Sequence, residues 1–286
     1  MDKMSQVVVF VFGAQGRAQA LNLKDGGWKV AVYLRPTSRH LAEAKEAGLP
    51  VLTDPAEAAK KADIAVLLLP DAEQPNFYKN HLEPNLRKRT SLIFAHGFNI
   101  HFKQIVPRPD LDILLAAPFL QGDALRQHYI EKIPVNILVA IEQDGSDRGY
   151  RIAETYSKAI GGPATHLIFS TFREETETDL FAEQTILVGG LLELLKAGAD
   201  TLTEAGYSKE VVEACGKELP PITALIDRWG PKAFLERISD TARFGAATRG
   251  PRIIDTRVKQ TLKTILEEIR SGRFTEELLT AKKPSL

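Results

Sequence analysis

Gln6-Val7-Val8-Val9-Phe10-Val11-Phe12 runs without a break into Gly13-Ala14-Gln15-Gly16-Arg17-Ala18. The apolar part is continuous rather than alternating, as a strand reads when helices cover both faces of a parallel sheet. The turn that follows is a dinucleotide fingerprint with Val11 in place of its first glycine. Gly13 and Gly16 keep the other two positions, one where the backbone approaches a pyrophosphate and one where helix packs closely on strand. A helix over residues 15–24 is expected next, closed by Asp25-Gly26-Gly27, so that a pyrophosphate would rest on its N-terminus. A plain structural turn is the other reading of the same residues.

Moving outward, the same rhythm repeats. Further strands are expected at 29–33, 64–69, 92–95, 113–116 and 135–140, and helices at 38–46, 55–61 and 146–160. Strand alternating with helix predicts a doubly wound, Rossmann-like α/β domain over residues 1–165. The remainder, 166–286, has almost no strand signal. Helical patterns cover 174–206, interrupted by Gly189-Gly190, then 210–228, 232–241 and 255–271, giving an all-α second domain. Its helices carry more apolar residues than a small isolated bundle can bury, which points to burial against a second copy of the chain.

Composition excludes several classes. The 286 residues hold 37 basic and 37 acidic side chains, so no nucleic-acid or anionic-membrane surface is indicated. No apolar run approaches the roughly 18 residues of a membrane span. The single cysteine, Cys215, forms no disulfide within the chain and suits a reducing cytoplasm. Residues 1–6 lack the basic-then-apolar pattern of a secretion signal.

Two segments carry the chemistry. After the second strand comes Leu34-Arg35-Pro36-Thr37-Ser38-Arg39-His40. An NAD-binding domain places a carboxylate about 20 residues after its turn to hold the ribose 2′-hydroxyl. Here Arg35, Ser38 and Arg39 stand instead, and arginine forks suit a 2′-phosphate, so NADPH is favoured. An ordinary solvated loop is the alternative. The second segment, Glu174-Glu175-Thr176-Glu177-Thr178-Asp179-Leu180-Phe181-Ala182-Glu183-Gln184, opens a long helical stretch. Asp179 and Glu183 are one helical turn apart on one face and run into Ile186, Leu187 and Val188. They read either as a solvated acidic helix start, favoured by the macrodipole, or as oxygen ligands for Mg²⁺.

These segments, together with Leu69-Pro70-Asp71, His96-Gly97-Phe98-Asn99-Ile100-His101-Phe102, Ile238-Ser239-Asp240-Thr241-Ala242 and Arg249-Gly250-Pro251-Arg252-Ile253-Ile254, resemble the short form of the ketol-acid reductoisomerase family over nearly the whole sequence. The resemblance implies NADPH (in some members NADH), one or two Mg²⁺ and a 2-hydroxy-3-keto acid substrate. An alkyl group migrates and the resulting 2-keto group is reduced, in an active site shared by the helices of an intertwined homodimer. Position by position, it implies cofactor contacts from Gly13, Ala14, Gln15, Gly16, Arg35, Ser38, Arg39, Leu69, Pro70, Asp71 and His96. It implies metal ligands at Asp179, Glu183 and Glu218, a substrate-carboxylate contact at Ser239, and His96 beside nicotinamide and substrate.

The sequence also departs from the family. Ala117-Pro118-Phe119-Leu120-Gln121-Gly122 has Phe119 where the family has a lysine of its catalytic polar network. Ala214 replaces the family's other glutamate on the second metal helix, with Glu213 beside it as a substitute only if the helix shifts register. Pro220-Pro221 is expected to break or restart that helix. The resemblance ends before the family's usual C-terminal tail. Three functions follow: an isomeroreductase with an altered pocket, a keto-acid reductase without migration, or a non-catalytic NADPH-binding paralogue.

Overall fold

The computed structural model describes residues 4–281, which fall into two compact units, Met1–Thr176 and Glu177–Leu286. The first holds eight strands: β1 (Val7–Phe10), β2 (Val30–Tyr33), β3 (Val51–Leu52), β4 (Ile64–Leu67), β5 (Ser91–Phe94), β6 (Asp112–Pro118), β7 (Asn136–Asp144) and β8 (His166–Phe169). They form one sheet in the order β3-β2-β1-β4-β5-β6-β7-β8, parallel throughout except for the antiparallel β6–β7 pair. The helices α1 (Ala14–Asp25), α2 (Leu41–Glu46), α3 (Pro55–Lys61), α4 (Gln74–Phe77), α5 (Phe98–His101), α6 (Gly122–Glu131) and α7 (Gly149–Gly161) connect them. Strand order reverses about β1, so the crevice at the carboxyl ends of β1 and β4 is the expected ligand position.

Val7, Val8, Val9 and Phe10 are all buried, as expected of a strand covered on both faces. Alternate residues feed two cores. Val7 and Val9 join Leu23, Ile93, Leu114 and Tyr156 on one side, while Val8 and Phe10 join Phe77, Leu92, Phe94 and Phe172 on the other.

Some expected boundaries moved, for local reasons. The first strand ends at Phe10 rather than Phe12 because Val11 has φ +95°, which turns the chain out of the sheet. The helix expected over 38–46 begins only at Leu41. Strand β3 is two residues long and β8 is largely exposed, so neither shows a buried apolar run. Helix α6 follows Phe119-Leu120-Gln121 with Leu125 as its buried apolar residue, which hides its periodicity.

The second unit is helical: the C-terminal part of α8 (Phe172–Ala182), then α9 (Gly189–Glu204), α10 (Lys209–Gly216), α11 (Leu219–Arg237), α12 (Asp240–Ile253), α13 (Thr256–Arg270) and α14 (Arg273–Thr280). A π turn over Glu183–Leu187 joins α8 to α9, and the chain bends at Val188 just before Gly189-Gly190. The single helix expected over 210–228 is instead two, α10 and α11. Pro220 and Pro221 have no N–H to continue the ladder, so the helix restarts with them in its first turn, where an N–H would have no intrahelical acceptor anyway. The break expected before residue 232 is a kink at Gly230, whose φ is +76°. Asp255 caps α13 through the backbone N–H groups of Arg257 and Val258.

Among the described residues of this unit, Leu180, Val212 and Ile269 are its buried hydrophobic side chains. Ile186, Leu187, Val188, Leu192, Val211 and Phe244 are each at least half exposed. The unit therefore lacks the buried apolar area that would hold its helices alone. No helix of the described chain is long and apolar enough to cross a membrane.

Candidate active site

Helix α1 begins directly at the end of the first strand, with Gly13 as its N-cap. No side chain caps it and its first turn holds no acidic residue. Its first-turn N–H groups have no partner within the helix, the condition under which a helix start takes an anion. Close packing enforces this turn. A Cβ on Gly16 would strike the carbonyl oxygen of Val11 and lie 3.1 Å from its carbonyl carbon. A Cβ on Gly13 would meet only the Val11 side chain, at 3.8 Å. Gly16 is thus required by the fold, whereas the fold itself leaves room at Gly13 for a side chain. Val11 adopts the positive φ natural to the glycine it replaces, an outlier for a β-branched residue.

A buried polar chain supports the turn from beneath. Tyr156 Oη donates to Gln19 Oε1 at 2.6 Å, Gln19 Nε2 to Gln15 Oε1 at 3.2 Å, and Gln15 Nε2 to the carbonyl of Leu120 at 2.7 Å. Full burial pushes the Tyr156 hydroxyl far above the usual tyrosine range, so it remains a donor. The last link joins the cofactor turn to the loop after β6. Contact there is close, since a Cβ on Gly122 would run into the backbone carbonyl of Ala14 and sit 2.6 Å from the Gln15 nitrogen. Phe119 is 56% exposed on this loop, and its amide donates to the Asn136 carbonyl at 3.0 Å.

After β2, Arg35 forms an ion pair with Glu73. Arg39 Nε approaches His40 Nε2 at 3.2 Å, and the Ser38 hydroxyl accepts from the His40 amide at 3.3 Å. Sequence reasoning from the second strand missed Glu73, because it lies beyond β4 and nothing local ties it to Arg35. The loop holding Leu69, Pro70 and Asp71 is anchored by Gln74, which donates to the Leu69 carbonyl at 2.8 Å. Asn99 donates to the Asp71 carbonyl at 3.1 Å.

His96 follows β5. Its Nδ1 lies 2.9 Å from Glu175 Oε1, while Glu175 Oε2 accepts from the Gly97 amide at 2.7 Å. A carboxylate oxygen accepts, so the Nδ1–H tautomer of His96 suits this contact. Glu175 is buried, and Gly97 admits it: a Cβ there would meet Thr176 Oγ1 at 2.5 Å, Glu175 Oε2 at 2.8 Å and the Phe172 carbonyl at 2.9 Å. Helix α8 runs unbroken through Glu175 and Asp179, one turn apart. His96 and Glu175 thus bring an imidazole and a carboxylate together, and Asp179 follows Glu175 by one turn of the same helix. Carboxylate oxygens of this kind are the ligands Mg²⁺ prefers.

Sequence reasoning passed over Glu175, although its spacing to Asp179 repeats that of Asp179 to Glu183. Glu183 is exposed at the start of the π turn. Glu218 is exposed at the junction of α10 and α11, and Glu213 pairs with Lys209 at 3.6 Å. Ser239 caps α12, accepting from the Ala242 amide at 3.2 Å. Among the described residues, Glu183, Glu213 and Glu218 form no metal-ligand cluster with Asp179.

Comparison with known proteins agrees with this geometry. Residues 2–165 match the family described as acetohydroxy acid isomeroreductase, NADPH-binding domain, and residues 172–285 match the ketol-acid reductoisomerase C-terminal domain. The chain belongs to the ketol-acid reductoisomerase family. It is accordingly an oxidoreductase acting on CH–OH groups, with an NAD(P)H-binding domain. A solved NADH-preferring ketol-acid reductoisomerase from an uncultured archaeon is 38% identical, with a TM-score of 0.92 over 96% of this chain and 85% of that one. Two more distant structures share the fold. A putative oxidoreductase from Jannaschia is 17% identical, with TM-score 0.72 over 97% of this chain and 99% of that one. Plasmodium falciparum pyrroline carboxylate reductase is 13% identical, with TM-score 0.59 over 95% and 99%.

Proposed function

We propose that this ketol-acid reductoisomerase relative takes a 2-hydroxy-3-keto acid, or the related 2-keto acid, and reduces it with NADPH. Its pocket is reshaped by Phe119. The observation that carries this reading is the His96–Glu175 pair at the carboxyl end of β5, the edge of the sheet that also presents the cofactor turn. Gly97 N–H and His96 hold the Glu175 carboxylate in one orientation. The imidazole is thereby fixed in tautomer and direction, as proton handling beside a reacting carbonyl requires. Gly13, Ala14, Gln15 and Gly16 receive the pyrophosphate, and Leu69, Pro70 and Asp71 border the bound cofactor.

Asp179, with Glu183 one turn further along, offers oxygen ligands for Mg²⁺, and Glu218 and Glu213 are further carboxylates for it. Bound Mg²⁺ would polarise the substrate carbonyl and favour loss of the hydroxyl proton. Ser239 is assigned to the substrate carboxylate. The exposed apolar residues of α9, α10 and α12 support a homodimer in which a second copy covers those helices and completes the site. NADPH is chosen over NADH because residues 34–40 hold Arg35, Ser38 and Arg39 and no carboxylate.

Phe119 favours a second reading, a reductase without alkyl migration. Migration relies most on the polar network, from which a charge and three donors have been removed. Two assays decide. NADPH or NADH oxidation is followed with Mg²⁺ and 2-acetolactate, then with 3-hydroxy-3-methyl-2-ketobutyrate. Turnover of both supports the isomeroreductase. Turnover of only the second supports the pure reductase. Turnover of neither overturns both and leaves the NADPH-binding paralogue. Asp179→Ala is expected to abolish the Mg²⁺-dependent step, and unchanged activity would remove Asp179 from the metal site.

A further inference from the structure

The amino ends of β1, β4 and β5, at the opposite edge of the sheet from the cofactor turn, open on a cavity of about 610 Å³. Its rim is basic: Arg87, Lys88 and Arg89 come from the loop before β5, and Arg148 and Arg151 from the start of α7. Asp63 is the one carboxylate there, and it is already engaged by Arg87 at 2.7 Å. Among the described residues the Arg148 side chain donates to the Ser146 hydroxyl at 3.4 Å, and its amide donates to Asp144 at 3.0 Å. The side chains of Lys88, Arg89 and Arg151 have no ion-pair partner among the described residues. The whole chain carries 37 charges of each sign, so five cations to one carboxylate in the cavity lining are a local concentration, with Asp144 and Asp147 also bordering Arg148 and Arg151.

Backbone geometry adds an independent observation. Arg89 sits at φ +64°, with its amide donating to the Asp110 carbonyl at 2.8 Å. A left-handed arginine costs about 1–2 kcal/mol that glycine would avoid. It places a guanidinium between Lys88 and buried Thr90, at the mouth of the cavity.

We propose that this cavity is a second anion site, separate from the cofactor turn, for a small ligand carrying two or more phosphate groups. Guanidinium forks match phosphate oxygens bidentately, and three unpaired cations on two sides of the cavity suit a ligand with separated charges better than a single phosphate. The volume lies within the roughly 300–1,000 Å³ of small-ligand sites.

The test is calorimetric titration of the full chain with tripolyphosphate, in Mg²⁺-free buffer at low salt, with and without saturating NADPH. One saturable site is expected that persists when the cofactor is bound. Arg89→Gly/Arg151→Ala should weaken it by roughly tenfold or more, in line with charge-assisted hydrogen bonds, and raising the salt should weaken it further. Circular dichroism melting of that variant should be no lower than the parent's, since both side chains are exposed and glycine relieves the left-handed backbone at position 89. Arg35→Ala/Arg39→Ala should leave the site intact. The proposal fails if no saturable binding occurs or if NADPH displaces the tripolyphosphate. It also fails if Arg35→Ala/Arg39→Ala abolishes binding while Arg89→Gly/Arg151→Ala does not.

Discussion

Gly122→Ala adds one methyl group outside the cofactor turn, yet it should disturb the fold of that turn more than a methyl placed at Gly13 within it. The new Cβ would meet the carbonyl of Ala14 and lie 2.6 Å from the Gln15 nitrogen. Ordinary non-bonded contact is roughly 3.5 Å, so the two loops must separate by something on the order of 1 Å. Both neighbours are backbone, so no side chain can rotate away. Overpacking of this kind costs about 1–3 kcal/mol, and for a chain of this size each kcal/mol lowers Tm by roughly 2–4 °C. The separation also stretches the bond from Gln15 to the Leu120 carbonyl, so NADPH affinity should fall by about tenfold, or ~1.4 kcal/mol. Gly13→Ala is the control. Its Cβ would meet only Val11 Cγ1, at 3.8 Å, so Tm should hold while NADPH binding falls because the backbone can no longer approach the pyrophosphate. The assay is paired: thermal melting without cofactor, and NADPH titration by fluorescence. If Gly122→Ala melts with the parent and binds NADPH within twofold, the contact between the β6–α6 loop and the cofactor turn does not position that turn.

Three further outcomes are expected. Glu175→Gln keeps the shape but removes the charge that orients His96, so kcat should drop by tenfold or more with KM for NADPH unchanged; steady-state kinetics check this. Tyr156→Phe leaves the buried Gln19 Oε1 without its donor, which should cost about 1–3 kcal/mol, read from the urea midpoint. Arg108 donates to Asp110 and holds its carboxyl below the usual range. A depressed folded pKa means that this stability is present above the unfolded value of about 3.9 and is lost as pH falls below it. Urea midpoints between pH 5 and pH 3 should decline less steeply in Asp110→Asn, and the two proteins should show parallel midpoints above about pH 5.

Much of the fold was legible because the buried strands are short, continuous and apolar. Val7 to Phe10, Ile64 to Leu67 and Leu92 to Phe94 announce themselves by composition. Strand β3 and exposed β8 did not, because pairing at or near the sheet edge does not depend on a buried apolar run. The cofactor turn was legible from spacing, even with Val11 in it, since Gly13 and Gly16 keep their distance from the strand. Glu175, Gly97 and Glu73 were harder. Each acts on a residue far away in sequence: Glu175 on His96, Gly97 on Glu175, Glu73 on Arg35. A carboxylate in an acidic run looks like its neighbours until the fold chooses which one to bury. Of that run, Glu175 is the carboxylate that disappears from solvent.

The loop that carries Phe119 is where the two halves of the proposed chemistry can be separated. Its backbone is fixed at three points: the Phe119 amide on Asn136, the Leu120 carbonyl on Gln15, and Gly122 against Ala14. The Phe119 side chain is 56% exposed and is not among the residues packed on either core. Replacing it should therefore change stability by no more than about 0.5 kcal/mol, the usual scale for a surface position. Phe119→Lys returns a cation and three donors to the rim of the cofactor turn without disturbing the backbone that holds the turn. If loss of that charge is what limits migration, turnover of 2-acetolactate should rise relative to turnover of 3-hydroxy-3-methyl-2-ketobutyrate, with NADPH affinity and Tm unchanged. An unchanged ratio in a normally folded variant would mean that position 119 does not control migration. The cause would then lie with Ala214, where Glu213 stands one residue off the position of the missing glutamate, and with the restart of the chain at Pro220-Pro221.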